Sequence, residues 1–207
     1  MTIPGSLTYL FDPLCGWCYG AAPALHDLIA AGRPVTLAPT GLFAEAGRTM
    51  EPGFAAYAWN ADQRIAKMTG QPFSDRYRSD VLGRAGAPFD SGPATLALTA
   101  VCLQEPAREA AALAAIQSAR WVGGQDICDA AVLGDILDGL DLPAAAARAR
   151  VPDAALIAAT QQRVAAAQAL MRQHGLNGVP ALLTGIGRPL PNTLLFGPRA
   201  ALLAALG

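Results

Sequence analysis

The spacing of apolar residues changes twice within the first forty positions. Leu7-Thr8-Tyr9-Leu10-Phe11 is a β-rich run closed by Asp12-Pro13, which predicts a buried strand over Ser6 to Phe11. From Tyr19 to Ala31 the period becomes helical: Ala22, Leu25, His26, Leu28 and Ile29 share a face, and Gly32 supplies a stop. Pro34 to Phe43 returns to a strand pattern, clearest at Val35-Thr36-Leu37. Strand, helix and strand at this spacing form a βαβ unit, so the two strands are expected to be parallel with a right-handed crossover.

Glu45 to Gly53 reads as loop. Helical patterns follow at Phe54–Gly70, Pro93–Gln104, Pro106–Val122, Ile127–Leu137 and Pro143–Ala149, with Phe73–Gly92 irregular between the first two. Prolines stand near several of these starts, where a missing N–H costs little. Pro152 to His174 is the longest helical run. Ile157, Val164 and Met171 recur every seven residues beside Leu156, Ala167 and Leu170, which predicts a buried stripe. Beyond Gly178-Val179-Pro180, the runs Ala181–Thr184 and Thr193–Phe196 flank a Gly/Pro-rich turn and predict a β-hairpin. A short helix over Arg199 to Leu206 ends the chain.

Composition narrows the class. The chain has 207 residues, 53% of them hydrophobic and 15% charged, which suits one domain with a sizeable core and excludes intrinsic disorder. A net charge of -1 with no Lys/Arg cluster argues against nucleic acid as a partner. No apolar run approaches the ~18 residues that span a bilayer, so no membrane partner is expected. Met1 to Ser6 lacks a charged segment followed by an apolar one, so the expected location is cytoplasmic.

The chemistry sits at the first strand-to-helix junction, in Cys15-Gly16-Trp17-Cys18. Cys-x-x-Cys in this setting is a redox motif. Cys15 would occupy the helix N-terminus, where unpaired N–H groups and the helix dipole favour a thiolate. Cys18, one turn further in and more buried, would resolve a mixed disulfide. Gly16 and Trp17 would tune the thiolate, and Trp17 offers apolar surface to a substrate. Two structural thiols, or half of a zinc site, are the competing readings. Zinc needs two more ligands, and Cys102 and Cys128 are isolated. The Asp12 carboxylate, just before the pair, would either cap the turn or shuttle a proton for Cys18. Val179-Pro180 precedes a predicted strand, a place where a cis bond would fit, though the local sequence does not decide it.

Asp12-Pro13-Leu14-Cys15-Gly16-Trp17-Cys18-Tyr19-Gly20, the order of elements, the helical insertion and Gly178-Val179-Pro180 together resemble the DsbA-like thiol–disulfide oxidoreductases, nearest the cytosolic FrnE-like branch. The resemblance implies an α/β protein: a thioredoxin fold with a large all-helical insertion. Residues 1–43 and 152–207 would form the thioredoxin-like domain and 44–151 the insertion. The sheet would be mixed, with its final strand antiparallel. Cys15 would attack and Cys18 resolve. Pro180 would be cis and packed on the pair, and the Val179 backbone would pair with an extended substrate segment. Gly16, Trp17, Val179 and Pro180 are thus the implied substrate contacts. No cofactor or metal is implied, and the partners are disulfide- or dithiol-containing proteins or small thiols. The Gly-Trp dipeptide replaces the Pro-His of strongly oxidising relatives, so a milder enzyme is expected.

Two other functions remain open at this point. Relatives with Ser at the attacking position are glutathione-dependent isomerases or transferases, and the presence of both Cys15 and Cys18 argues against that branch. A non-enzymatic peptide-binding module with idle thiols is the other. Elsewhere, Cys102 lies on an apolar helix and Cys128 near a helix start; both read as core thiols, with activation of Cys128 by the helix end as the sharper reading. Phe54, Tyr57 and Trp59 read as packing, or as a groove wall facing Trp17.

Overall fold

Leu7–Phe11 (β1) forms the middle of the sheet, and its neighbours explain why the run is apolar on both sides. Val35–Pro39 (β2) pairs with it in parallel, Leu7 opposite Val35 and Phe11 opposite Pro39. Ala181–Thr184 (β3) pairs on the other edge, antiparallel, Leu7 opposite Thr184 and Leu10 opposite Ala181. Side chains alternate across the strand. Tyr9 and Phe11 enter the main core, whereas Leu10 turns to the opposite face with Ala167, Ala181 and Leu183. The computed structural model describes residues 6–44 and 47–206. The expectations for Met1 to Gly5, and for Glu45 and Ala46 at the start of the predicted loop, fall outside the described residues.

The predicted helix from Tyr19 to Ala31 is two helices, and it begins earlier. Gly16–Gly20 (α1) and Ala22–Ala30 (α2) meet at Ala21. Pro23 has no N–H to offer the carbonyl of Tyr19 four residues back. That carbonyl instead accepts from Gln71 Nε2 at 3.0 Å. The break leaves the cysteine motif in a five-residue helix of its own.

Helices fill the span between β2 and β3. Pro52–Thr69 (α3) is followed by a π-helical turn, Tyr77–Leu82, in the stretch expected to be irregular. Gly92–Gln104 (α4), Glu109–Trp121 (α5), Ala130–Asp138 (α6) and Pro143–Arg150 (α7) come next. Ala94, Ala97, Leu98, Ala100 and Val101 of α4 are all fully buried, as suits a helix apolar all round at the centre of its neighbours.

Ala154–Gln173 (α8) returns to the sheet, capped by Asp153, whose Oδ1 accepts from Leu156 N at 2.6 Å. Its buried face is rotated from the expected one: Leu156, Thr160 and Ala167 are buried, while Ile157 is 42% exposed. The seven-residue count missed Arg163, which shares the inner face. Arg163 donates to Leu37 O at 3.0 Å, Thr99 Oγ1 at 3.1 Å and Glu109 Oε1 at 2.6 Å, joining α8 to β2, α4 and α5. The predicted hairpin also differs. Its return leg is Arg188 to Leu190: Thr184 N donates to Arg188 O, and Leu190 N to Leu182 O. Thr193–Phe196, predicted as strand, instead overlaps a 3-10 turn over Asn192–Leu195. Pro189 and Pro191 carry no N–H, so a continued ladder is cut short there. Arg199–Ala204 (α9) closes the fold.

Candidate active site

Cys15 is the N-cap of α1, with extended backbone, and its N–H donates to Asp12 O at 3.1 Å. It is 7% exposed; Cys18, one turn deeper, is 1% exposed. The two thiols are driven apart in acidity. Cys15 lies below the usual thiol range because Cys18 donates a side-chain hydrogen bond to it, aided by the backbone N–H groups of Cys18 and Trp17; burial and the Asp12 charge oppose this. Cys18 lies well above that range, chiefly through burial and then through its bond to Cys15. The donors are local. A five-residue helix ending at Gly20 supplies N–H groups rather than the long aligned dipole the sequence pattern implied.

The second segment of the site arrives at the start of β3. The Val179–Pro180 peptide is cis. Pro180 is buried and Val179 half-buried, and the Cys15 thiol donates to Val179 O at 3.7 Å. These two segments are 164 residues apart in sequence. Trp17 is half-buried and packs edge-on against Phe196, ring centroids 5.3 Å apart. This gives the motif an apolar border. Phe54 packs on Phe89 and Trp59 near Tyr77, and Tyr57 is 65% exposed.

Asp12 is fully buried and accepts three hydrogen bonds: from Leu14 N at 2.9 Å, Phe43 N at 3.2 Å and Ser91 Oγ at 2.8 Å. The first caps the turn before the cysteines, and the other two fasten that turn to the chain leaving β2 and to the insertion. Burial nonetheless raises its carboxyl above the ordinary range.

Three contributors escaped the sequence reading. Tyr9 donates its hydroxyl to Cys18 O at 3.2 Å. Tyr19 stacks on Trp121 at 4.7 Å and donates to Pro72 O at 3.1 Å. Asp62, on α3, stands against Gly16: a Cβ on that glycine would lie 2.5 Å from Asp62 Oδ1. A Cβ on Gly20 would lie 2.5 Å from Ile65 Cγ2. The signal was present, since Gly16 and Gly20 are spaced i, i+4 and so share one face of α1, and Ala58, Asp62, Ile65 and Thr69 share one face of α3.

Cys102 and Cys128 are free, half-buried thiols; Cys15 and Cys18 are also free, and buried. Burial raises both, Cys128 to about 11, so the helix end beside Cys128 does not activate it. Among the described residues no three His, Cys, Asp or Glu side chains are grouped to hold a metal ion. No described helix is long and apolar enough to cross a membrane.

Comparison with known proteins places this geometry. A family profile describing the DSBA-like thioredoxin domain matches residues 7–197. The cytosolic disulfide reductase DsbM from Pseudomonas aeruginosa superposes with a TM-score of 0.85 at 35% identity, covering 97% of this chain and 98% of that one. Its structure with glutathione gives a TM-score of 0.86 at 33% identity, over 97% and 98% of the two chains. A proposed protein disulfide isomerase from Nitrosomonas europaea gives 0.73 at 27% identity, over 87% and 84%. No curated protein sequence matches significantly. With the whole cysteine motif and the cis-proline segment inside the matched span, the chain belongs to the DSBA-like thioredoxin family.

Proposed function

We propose that the protein is a thiol–disulfide oxidoreductase of the reductase or isomerase type, with Cys15 attacking and Cys18 resolving. The observation that carries this reading is the opposed acidity of the two thiols, with Cys15 lowered, Cys18 raised, and the Val179 carbonyl 3.7 Å from Cys15 Sγ. The reductase activity named for the DsbM relatives supports it.

Cys15 loses its proton to solvent, and its thiolate attacks one sulfur of a substrate disulfide. A Cys15–substrate bond forms as the substrate S–S bond breaks, and the second substrate sulfur leaves as a thiolate that takes up a proton. Cys18 then attacks Cys15 Sγ. The internal disulfide forms, and the Cys18 proton leaves with the released thiol. Two electrons and two protons pass to the substrate, and a dithiol or two small thiols return the protein to its reduced form. In the isomerase mode the released thiolate attacks elsewhere in the substrate before Cys18 acts.

Trp17 and Phe196 give the substrate an apolar border, Gly16 presents bare backbone next to Cys15, and the Val179 backbone pairs with an extended segment. Asp12 enters as the clamp its three hydrogen bonds describe. Residues 1–43 and 152–207 form the catalytic unit in this reading, and 44–151 cover it. Protein disulfides and small thiols are the substrate class; the glutathione bound to DsbM supports the latter, and the cytosolic setting named for that relative supports a cytoplasmic assignment. The test is insulin reduction with a dithiol donor. Wild-type protein turns over, and Cys15→Ser abolishes turnover; full activity in that variant contradicts the assignment.

A further inference from the structure

We propose that Asp62 is a positioning residue for the Cys15–Cys18 pair: its carboxyl, set by the insertion into the space a side chain at residue 16 would fill, governs through its charge how readily the Cys15 thiol gives up its proton. The proposal rests on Cys15 being the attacking thiol.

The placement is specific. Asp62 is 5% exposed, on the face of α3 that packs on α1. Its Oδ1 is turned to Gly16, the residue that follows Cys15. Its Oδ2 accepts from the Tyr77 hydroxyl at 2.8 Å. Tyr77 opens the π-helical turn, a local geometry frequent at functional sites. Asp12, the other buried carboxyl near the motif, has three donors distributed over both oxygens, and its charge also opposes ionisation of Cys15, so it stays in place in every variant compared. Asp62 is held through one oxygen and presents the other to the active-site helix.

The titratable and charged groups around it come from each packed element. The turn supplies Tyr77, and Arg78, whose guanidinium lies 5.0 Å over Trp59. Helix α5 supplies Arg120, 2% exposed and 5.5 Å over the Tyr77 ring. Helix α1 supplies Cys15, Cys18 and the Tyr19 hydroxyl that donates to Pro72 O. Arg64 and Lys67 lie on α3 itself. Burial raises the carboxyl to about 7, against the Tyr77 hydrogen bond and the Arg120 charge, which lower it.

Charge then couples the two groups. Asp62 is held against Gly16, the residue next to Cys15, so when ionised it puts a negative charge near the forming Cys15 thiolate in a medium far less polarisable than water, and each disfavours the other. A protonated Asp62 removes the penalty. When Cys15 enters a disulfide its charge vanishes and Asp62 releases its proton to water. Asp62 carries no electrons and makes no bond to substrate.

The test follows alkylation of Cys15 against pH in the reduced full chain, read by mass at that residue. Wild-type protein titrates over a broadened, two-step range. Asp62→Asn titrates in one step, with its midpoint shifted down and a thiolate fraction above the wild type's at pH ~8, where wild-type Asp62 is charged. Tyr77→Phe removes the hydrogen bond that favours ionised Asp62 and shifts Cys15 in the same direction by less. A folded Asp62→Asn protein whose Cys15 curve superimposes on the wild type overturns the proposal; should that variant not fold, an unmoved curve in Tyr77→Phe overturns it. An ordinary thiol profile for wild-type Cys15 overturns both this proposal and the catalytic reading. A lowered Cys15 insensitive to both variants overturns this proposal alone.

Discussion

Tyr9 and Cys18 are joined across the site: the Tyr9 hydroxyl, on the middle strand, donates to the Cys18 carbonyl at 3.2 Å. The bond is buried, and it holds the short helix α1 on the sheet near the point where Pro23 divides it from α2. The Tyr9 ring itself stacks on Phe11, centroids 5.8 Å apart.

Removing only that hydroxyl tests the anchor. Tyr9→Phe keeps the ring and leaves a buried carbonyl without this donor. A loss of about 1–2 kcal/mol of stability is expected. Urea unfolding followed by fluorescence should show a lower midpoint with an unchanged slope. An unchanged midpoint would mean that the bond contributes nothing to the fold.

Gly16 must lack a side chain because Asp62 occupies the space. Gly16→Ala forces α1 and α3 apart and is expected to cost about 1–3 kcal/mol. Combining it with Asp62→Ala opens the space, so the double variant should be more stable than the sum of the two single losses predicts. Strict additivity in a double-mutant cycle would show that the two residues do not meet as described.

Asp62 also gives stability a pH dependence. Its folded-state value, about 7, lies above its ordinary carboxylate value, so the folded chain binds this proton more tightly than the unfolded one. Stability from this site is therefore fully present below the ordinary carboxylate range and is lost as pH rises towards about 7. The loss is on the order of 4 kcal/mol. Asp62→Asn should lack this loss and exceed wild-type stability above neutrality while falling close to it in acid. Denaturation midpoints measured across that range decide it; parallel curves for the two proteins would contradict the burial argument.

Much of the architecture was legible in the chain because local chemistry and tertiary packing agreed. The βαβ unit followed from Leu7–Phe11, the helical run after Cys18 and Val35-Thr36-Leu37, and the structure places β1 and β2 in parallel as expected. The pairing of Cys15 with Val179-Pro180 came from the family resemblance; no local pattern links positions so far apart. Failures occurred where a distant partner changed the local rule. Pro23 was compatible with a helix start but divided a longer run, because Gln71 was available to take the Tyr19 carbonyl. The seven-residue count passed over Arg163, because its partners Glu109, Thr99 and Leu37 lie on three other elements. Thr193–Phe196 had strand propensity but no ladder to join after Pro191. Asp62 was hidden for the same reason: a carboxyl on an apolar stripe acquires meaning only when Gly16 of another helix stands opposite.

The central claim is that Cys15 attacks and Cys18 resolves. The most direct measurement is to mix the reduced Cys18→Ser protein with a disulfide peptide and locate the adduct by mass spectrometry. The account predicts a stable mixed disulfide on Cys15, and no adduct on Cys102 or Cys128. An adduct that forms instead on Cys18 in Cys15→Ser, at the wild-type rate, would contradict it.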